Sequence, residues 1–276
     1  MRKLDTKSDL CWICNKNKAD SREHKFKKAD LKKAYNKNND LVYGQGIDSK
    51  HQYLQSVDSR FVKFDKVICH TCNTNITKKS DEAYDIFSNY IDLNYDYLLS
   101  NKHLDFNEIY PNHALEKKLS LYRYFAKHVG CKITTGFYEI PQDISKFVLG
   151  EISTLETLTF VFKLNADFYY LCNSLNFSNI RNGPTIYIGN EKNPDILFGW
   201  IIYQWLTIYW CVNENISSHK KVDFNKTQES LDVLLINDSF TDYKQSDEIP
   251  FIINLIENFG LETIEEKIMF AKSMIN

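Results

Sequence analysis

Three textures of apolar and polar positions follow one another along the chain. Residues 1–80 carry no sustained apolar run and are rich in Lys, Asn and Asp, so this segment is expected to need a staple in place of a large core. From Asp81 the pattern becomes periodic: Ala83, Phe87, Tyr90, Ile91 and Tyr95 recur three and four apart, the spacing of one helical face. Ser80 stands where an N-cap is expected, with Asp81 and Glu82 in the first turn. After Pro111 a second helix is predicted, lined by Leu115, Leu119, Tyr122, Phe125, Ala126 and Val129 and stopped by Gly130.

Beyond Cys131 the texture changes to short aromatic and β-branched runs at 158–164, 168–172, 185–188 and 197–212, separated by turn-prone 179–184 and 189–194. These predict strands. The run 197–212 is only 16 residues long and holds Gly199 and Gln204, short of the roughly 20 apolar residues of a spanning helix, so a buried strand pair or a core helix is expected, with aromatic and β-branched enrichment favouring strand, and no membrane partner. Residues 250–276 return to helical spacing, with Ile252, Leu255, Ile256 and Phe259 on one stripe, a stop at Gly260, then Ile264, Ile268 and Ala271. No internal repeat is visible. The pattern predicts an α+β chain with a first domain over 1–100 and a mixed α+β domain over 101–276.

Composition adds little by itself, since 43% hydrophobic and 25% charged residues are ordinary for a globular protein. The net charge of −2 hides a bipolar molecule: residues 1–80 hold 18 Lys and Arg against 9 Asp and Glu, and the remainder 16 against 27. A basic module carrying +9 is the footprint of a protein that lies on phosphates, whereas the acidic remainder is not. The plainer alternative is that the lysines between 25 and 33 are the solvated face of a short helix.

The chemistry concentrates in the basic part. Cys11-Trp-Ile-Cys14 and Cys69-His-Thr-Cys72 are two C-x2-C pairs, and four thiolates satisfy tetrahedral zinc. Seven cysteines are too sparse for a disulfide scaffold, and the apolar-poor start MRKLDTKSDLCWIC shows no signal peptide, so a cytoplasmic protein with reduced thiols is expected. Cys131, Cys172 and Cys211 lie singly among apolar residues and read as core. The gap between the pairs is 54 residues, far longer than in a compact zinc ribbon, and it contains Arg22-Glu23-His24. A carboxylate beside an imidazole can divide two tasks, one holding a divalent cation and the other taking a proton from water.

The order of parts, C-x2-C, Glu-His, a loop with Gly44 and Gly46, then Val67-Ile68 leading into C-x2-C-Asn and a helix, resembles HNH endonucleases of the ββα-metal (His-Me finger) superfamily. The likeness is to the subgroup in which a four-cysteine zinc site braces the nuclease hairpin, and it covers about residues 11–85. It implies an N-terminal ββα-metal module, His24 as general base, and Glu23 and Asn73 as ligands of a catalytic Mg2+ or Mn2+. It also implies Cys11, Cys14, Cys69 and Cys72 on structural Zn2+, and hydrolysis of DNA phosphodiester bonds. Hard oxygen donors suit Mg2+ and thiolates suit zinc.

The family's middle Asn should fall where Phe64 stands, with Asp65 the nearest polar substitute; His51 is a more distant one, and Asp81 is a further candidate ligand. Arg22, Lys25, Lys27, Lys28, Lys78 and Lys79 are candidate phosphate contacts, His70 is expected to face solvent, and Trp12 to pack on the zinc knuckle. Two further readings stand beside the nuclease: a non-catalytic zinc-knuckle module that binds nucleic acid, and a sensor in the C-terminal part, where Tyr169, Tyr170, Trp200 and Trp205 could line a pocket. By analogy alone, the acidic domain suggests a regulated effector, for example in phage defence, controlled by homodimerisation or an activating protein partner.

Overall fold

The computed structural model describes residues 1–6, 8–34, 41–43, 52–101, 103–164, 180–183, 185–203 and 206–213, with short strand pieces at 222–223, 230–232 and 234–235. The expected strand at 168–172, the tail helix over 250–276, His51, Tyr169, Tyr170, Cys172 and Trp205 lie outside the described residues. In chain order the elements are β1 (Ser21–His24), α1 (Lys28–Ala34), β2 (Leu41–Tyr43), β3 (Gln52–Leu54), β4 (Lys63–Ile68), α2 (Lys78–Asn101), β5 (His103–Asp105), α3 (Phe106–Ile109), α4 (Ala114–Thr135), α5 (Gln142–Leu149), β6 (Thr154–Leu155), β7 (Leu158–Leu164), β8 (Ile180–Asn182), β9 (Ile186–Asn190), β10 (Asn193–Tyr203), β11 (Leu206–Asn213), β12 (Val222–Asp223), β13 (Ser230–Asp232) and β14 (Leu234–Leu235). The architecture is mixed α+β with antiparallel pairings throughout, apart from the parallel β14–β7 pair.

The largest sheet is ordered β14-β7-β11-β10-β8, with β9 also on β10. Its centre is the aromatic run that the sequence marks as a strand pair: β10 and β11 are antiparallel from Ile196↔Asn213 to Tyr203↔Leu206. Alternation sorts the side chains. Leu206, Ile208, Trp210 and Val212 face the main core, while Phe198 and Tyr209 form a second cluster on the opposite face with Ile186, Ile188 and Trp200. Both faces carry buried apolar side chains, which fits a nearly continuous apolar run in place of strict alternation. Trp200 therefore packs against the sheet.

The main core joins this sheet to α2 and α4 through rings. Tyr84 of α2 stacks on Tyr124 of α4 at 4.0 Å, and Phe87 and Phe125 meet edge to face at 6.1 Å. Phe162 of β7 closes the group, 6.2 Å from Phe87 and 5.6 Å from Phe125. The same cluster continues through Trp12, Phe64, Val67 and Ile68 to the cysteines. Among the described residues no helix is long and apolar enough to cross a membrane.

Both helix termini expected from local signals are displaced. Ser80 is no N-cap: α2 starts at Lys78, straight out of a π-turn over Cys72–Ile76, and Ser80 is buried inside it. The amides of Thr77, Ser80 and Asp81 already donate to Cys72 or Thr77 carbonyls, so no side-chain cap is needed. Gly130 does not stop α4, which runs on to Thr135 and is capped at Gly136. Its lack of a side chain serves packing instead, for a Cβ there would lie 2.3 Å from the Trp12 ring. Leu115, expected on the apolar face, is exposed in the first turn, while Lys118, Lys127 and His128 further along are buried.

Candidate metal centre and the Glu23 cluster

Each cysteine pair is shaped by backbone. In the first, the Asn15 amide donates to the Cys11 carbonyl at 2.8 Å, and Asn15 takes a positive φ of 49°, which Asn tolerates better than most residues. The Trp12 amide donates to the Val67 carbonyl of β4 at 3.1 Å, which ties this knuckle to the strand that delivers the second. In the second, the Cys72 amide points at Cys69 Sγ (3.4 Å) and Asn17 Nδ2 donates to the same sulfur at 3.7 Å.

The four Sγ atoms of Cys11, Cys14, Cys69 and Cys72 lie within 4.8 Å of one another, close enough to hold one metal ion. Cys72 holds the Cys11 thiol down, to about 5, while its own is pushed up by Cys11 and by burial. Four such sulfurs cannot all ionise side by side without a cation between them, and soft, tetrahedral donors fit zinc. His70 is exposed and contributes its backbone amide to Asp20 Oδ1 (2.8 Å). Trp12 is buried beside the cysteines.

β1 runs antiparallel to β4, with irregular register on either side of Arg22. His24 pairs with Lys63 in that ladder. Its imidazole is hydrogen-bonded to the Val57 backbone, and its Nε2 is buried with no hydrogen-bond partner, Asp58 Oδ1 standing 3.6 Å away. Burial, then the positive charge of Lys63, lowers its pKa below the usual 6.5, so His24 is neutral at pH 7. Asp58 is itself held by Lys28 and by Lys63 at 3.4 Å.

Glu23 is placed differently. Its Oε1 lies 3.2 Å from Lys127 Nζ and 3.4 Å from His128 Nε2, both on α4. Burial would raise its pKa, but the Lys127 charge and the His128 contact outweigh that and hold the carboxyl at about 2. Lys127 is fully buried, and Nζ also reaches Asp81 Oδ1 at 2.9 Å and Thr77 Oγ1 at 3.4 Å. Burial opposes its charge, yet Glu23 and Asp81 raise its pKa above the ordinary value, so it is an ammonium. Asp81, the further candidate ligand, is thus bound to Lys127 and approached by Lys27 at 3.9 Å.

Asn73 donates Nδ2 to Ser21 Oγ at 2.9 Å and lies 3.5 Å from the Arg22 carbonyl, which fastens the start of the second knuckle's helical turn to β1. Phe64, at the position of the family's middle Asn, is buried with its ring edge-on to His128 at 6.0 Å, and Asp65 is exposed. Of the candidate phosphate contacts, Lys27 pairs with Asp85 at 3.1 Å and Lys28 with Asp58. Lys78 pairs with Glu82 at 3.9 Å and Lys79 with Glu116 at 3.4 Å. Arg22 is exposed and Lys25 half-buried.

Lys127 and His128 are the residues that sequence reasoning missed. Their signal was faint: two polar residues set in the otherwise apolar stretch 125–131, where burial obliges a partner that the sequence does not reveal. Neither protein-family models, nor curated proteins, nor solved structures give a match to this chain.

Proposed function

We propose that residues 1–100 form a zinc-stapled HNH endonuclease module that hydrolyses DNA phosphodiester bonds, with His24 as the general base. The observation that carries this reading is the state of His24. A buried ring nitrogen with no partner is costly, and here it belongs to an imidazole fixed through Val57 and neutral at pH 7, as a base that accepts a proton from water must be. Its hairpin leads through β4 into the second cysteine pair, so zinc sets the position of the base.

Glu23 and Asn73 remain the donors proposed for a catalytic Mg2+ or Mn2+, but Glu23 already faces an ammonium in this structure, so no step is derived through that ion. The occupation of Glu23, together with buried Phe64 where the family's middle Asn should stand, favours a second reading: a zinc-knuckle nucleic-acid-binding module without hydrolysis. The acidic remainder would control either module through a homodimer or a protein partner.

Nicking of supercoiled plasmid by the full chain in Mg2+, Mn2+ or EDTA separates the two. The nuclease reading expects metal-dependent nicking that falls at least about a hundredfold in His24→Ala, with about one zinc per chain kept in both proteins. A His24→Ala protein that nicks like the wild type removes His24 from the chemistry. Binding without nicking in both proteins leaves the second reading.

A further inference from the structure

Lys127 is a helix α4 residue whose fully buried ammonium sits among three oxygens from the proposed nuclease module: Glu23 Oε1 (3.2 Å), Asp81 Oδ1 (2.9 Å) and Thr77 Oγ1 (3.4 Å). Two of the three belong to carboxylates that the HNH resemblance would offer to a divalent ion, and one positive charge already lies between them. We propose that Lys127 is a resident cation that keeps a divalent metal off Glu23, so that ammonium pairing and metal binding at this carboxylate exclude one another. The proposal rests on the nuclease reading only for what the metal would then do; the competition for Glu23 stands on the geometry.

The exclusion is physical. A divalent ion on Glu23 Oε1, at the roughly 2.1 Å of Mg2+ coordination, would stand no more than about 5 Å from Lys127 Nζ, in surroundings too dry to screen the repulsion. Mg2+ also keeps several of its waters, whereas the Glu23 side chain is only 13% exposed. The ammonium is not free to leave by a side-chain swing alone. Nζ lies 5.5 Å over the Tyr124 ring, Tyr124 is stacked on Tyr84, and the neighbouring His128 is wedged between Tyr124 at 4.5 Å and Phe64. The Phe64 ring, edge-on to His128 at 6.0 Å, holds the α4 side that carries the lock. While Lys127 keeps its charge, admitting a metal at Glu23 therefore means moving α4 against β1, which ties the site to the part of the chain outside the nuclease module.

Mn2+ binding to the zinc-loaded full chain, followed by the electron paramagnetic resonance signal of free Mn2+, tests the competition. Lys127→Met removes the charge and keeps the stem; it is expected to bind one Mn2+ at least tenfold more tightly than the wild type, and Lys127→Met/Glu23→Gln to lose that gain. A zinc-retaining Lys127→Met that binds Mn2+ no more tightly overturns the proposal. Should Lys127→Met fail to fold, the wild-type background decides: Glu23→Gln leaves Mn2+ affinity unchanged if Lys127 holds the site, and lowers it tenfold or more if Glu23 already binds metal beside Lys127, which also overturns it. Plasmid nicking on the same samples keeps the two ideas apart, since Lys127→Met that gains Mn2+ through Glu23 without nicking upholds the lock and removes the nuclease.

Discussion

Cys72→Ser is expected to abolish zinc binding by the four-cysteine cluster and to unfold the segments around it at 37 °C. A structural zinc site contributes on the order of 10 kcal/mol, as much as the whole stability of a typical domain. Its buried neighbours Trp12, Ile13, Val67 and Ile68, which join the site to the main core, are positioned by the knuckles themselves. The Trp12 amide reaches the Val67 carbonyl only while the first pair stays folded against β4. Loss of the site should therefore abolish the near-ultraviolet dichroism of the packed Trp12 together with the zinc. Cys211→Ser serves as the control, because Cys211 is half-buried on the other face of the sheet and outside the cluster. Cys72→Ser protein that keeps one zinc and unfolds at the wild-type temperature would show that the four sulfurs are not a structural metal site.

What the chain reveals by itself divides by range of interaction. The cysteine spacing is a local signal, and the four sulfurs do converge; the aromatic run at 197–212 is likewise local, and it does pair with itself. Helix ends depart from local rules where a tertiary contact overrides them. Ser80 looks like a cap until the π-turn over Cys72–Ile76 is seen feeding hydrogen bonds into α2, and Gly130 looks like a stop until Trp12 is seen lying on it. The Glu23 cluster is the extreme case. Lys127 is more than a hundred residues from Glu23, and nothing near either one in sequence announces the pairing. The neutral state of His24 is legible only in three dimensions too, since burial and Lys63 set it, whereas the dipeptide Glu23-His24 shows only that such chemistry is available.

Gly130→Ala is expected to destabilise the protein by about 3 kcal/mol, opposite in sign to the usual effect. Glycine inside a helix ordinarily costs about 1 kcal/mol relative to alanine, so an α4 open to solvent at this point would gain from the change. Here the new Cβ would lie 2.3 Å from Cη2 and Cζ2 of Trp12, well inside contact distance. The ring cannot simply withdraw, because the Trp12 amide is bonded to Val67 and its carbonyl accepts from Ser145 Oγ of α5 at 3.1 Å. Those two bonds hold the first cysteine pair to β4 and to α5, so any retreat of Trp12 pulls on the metal site. The three atoms nearest the new Cβ all belong to the Trp12 indole, which makes the prediction separable from a general intolerance of α4. In Trp12→Leu the smaller side chain leaves a cavity costing about 3 kcal/mol, and adding Gly130→Ala to it should cost little more or recover part of the helix propensity. Chemical unfolding of the two single variants and the double variant measures this coupling, expected at about 3 kcal/mol, the Gly130→Ala penalty that Trp12→Leu should remove. Additive effects, or a stabilised Gly130→Ala, would mean that Trp12 does not rest on Gly130 and that the metal site is not held against α4 at this point.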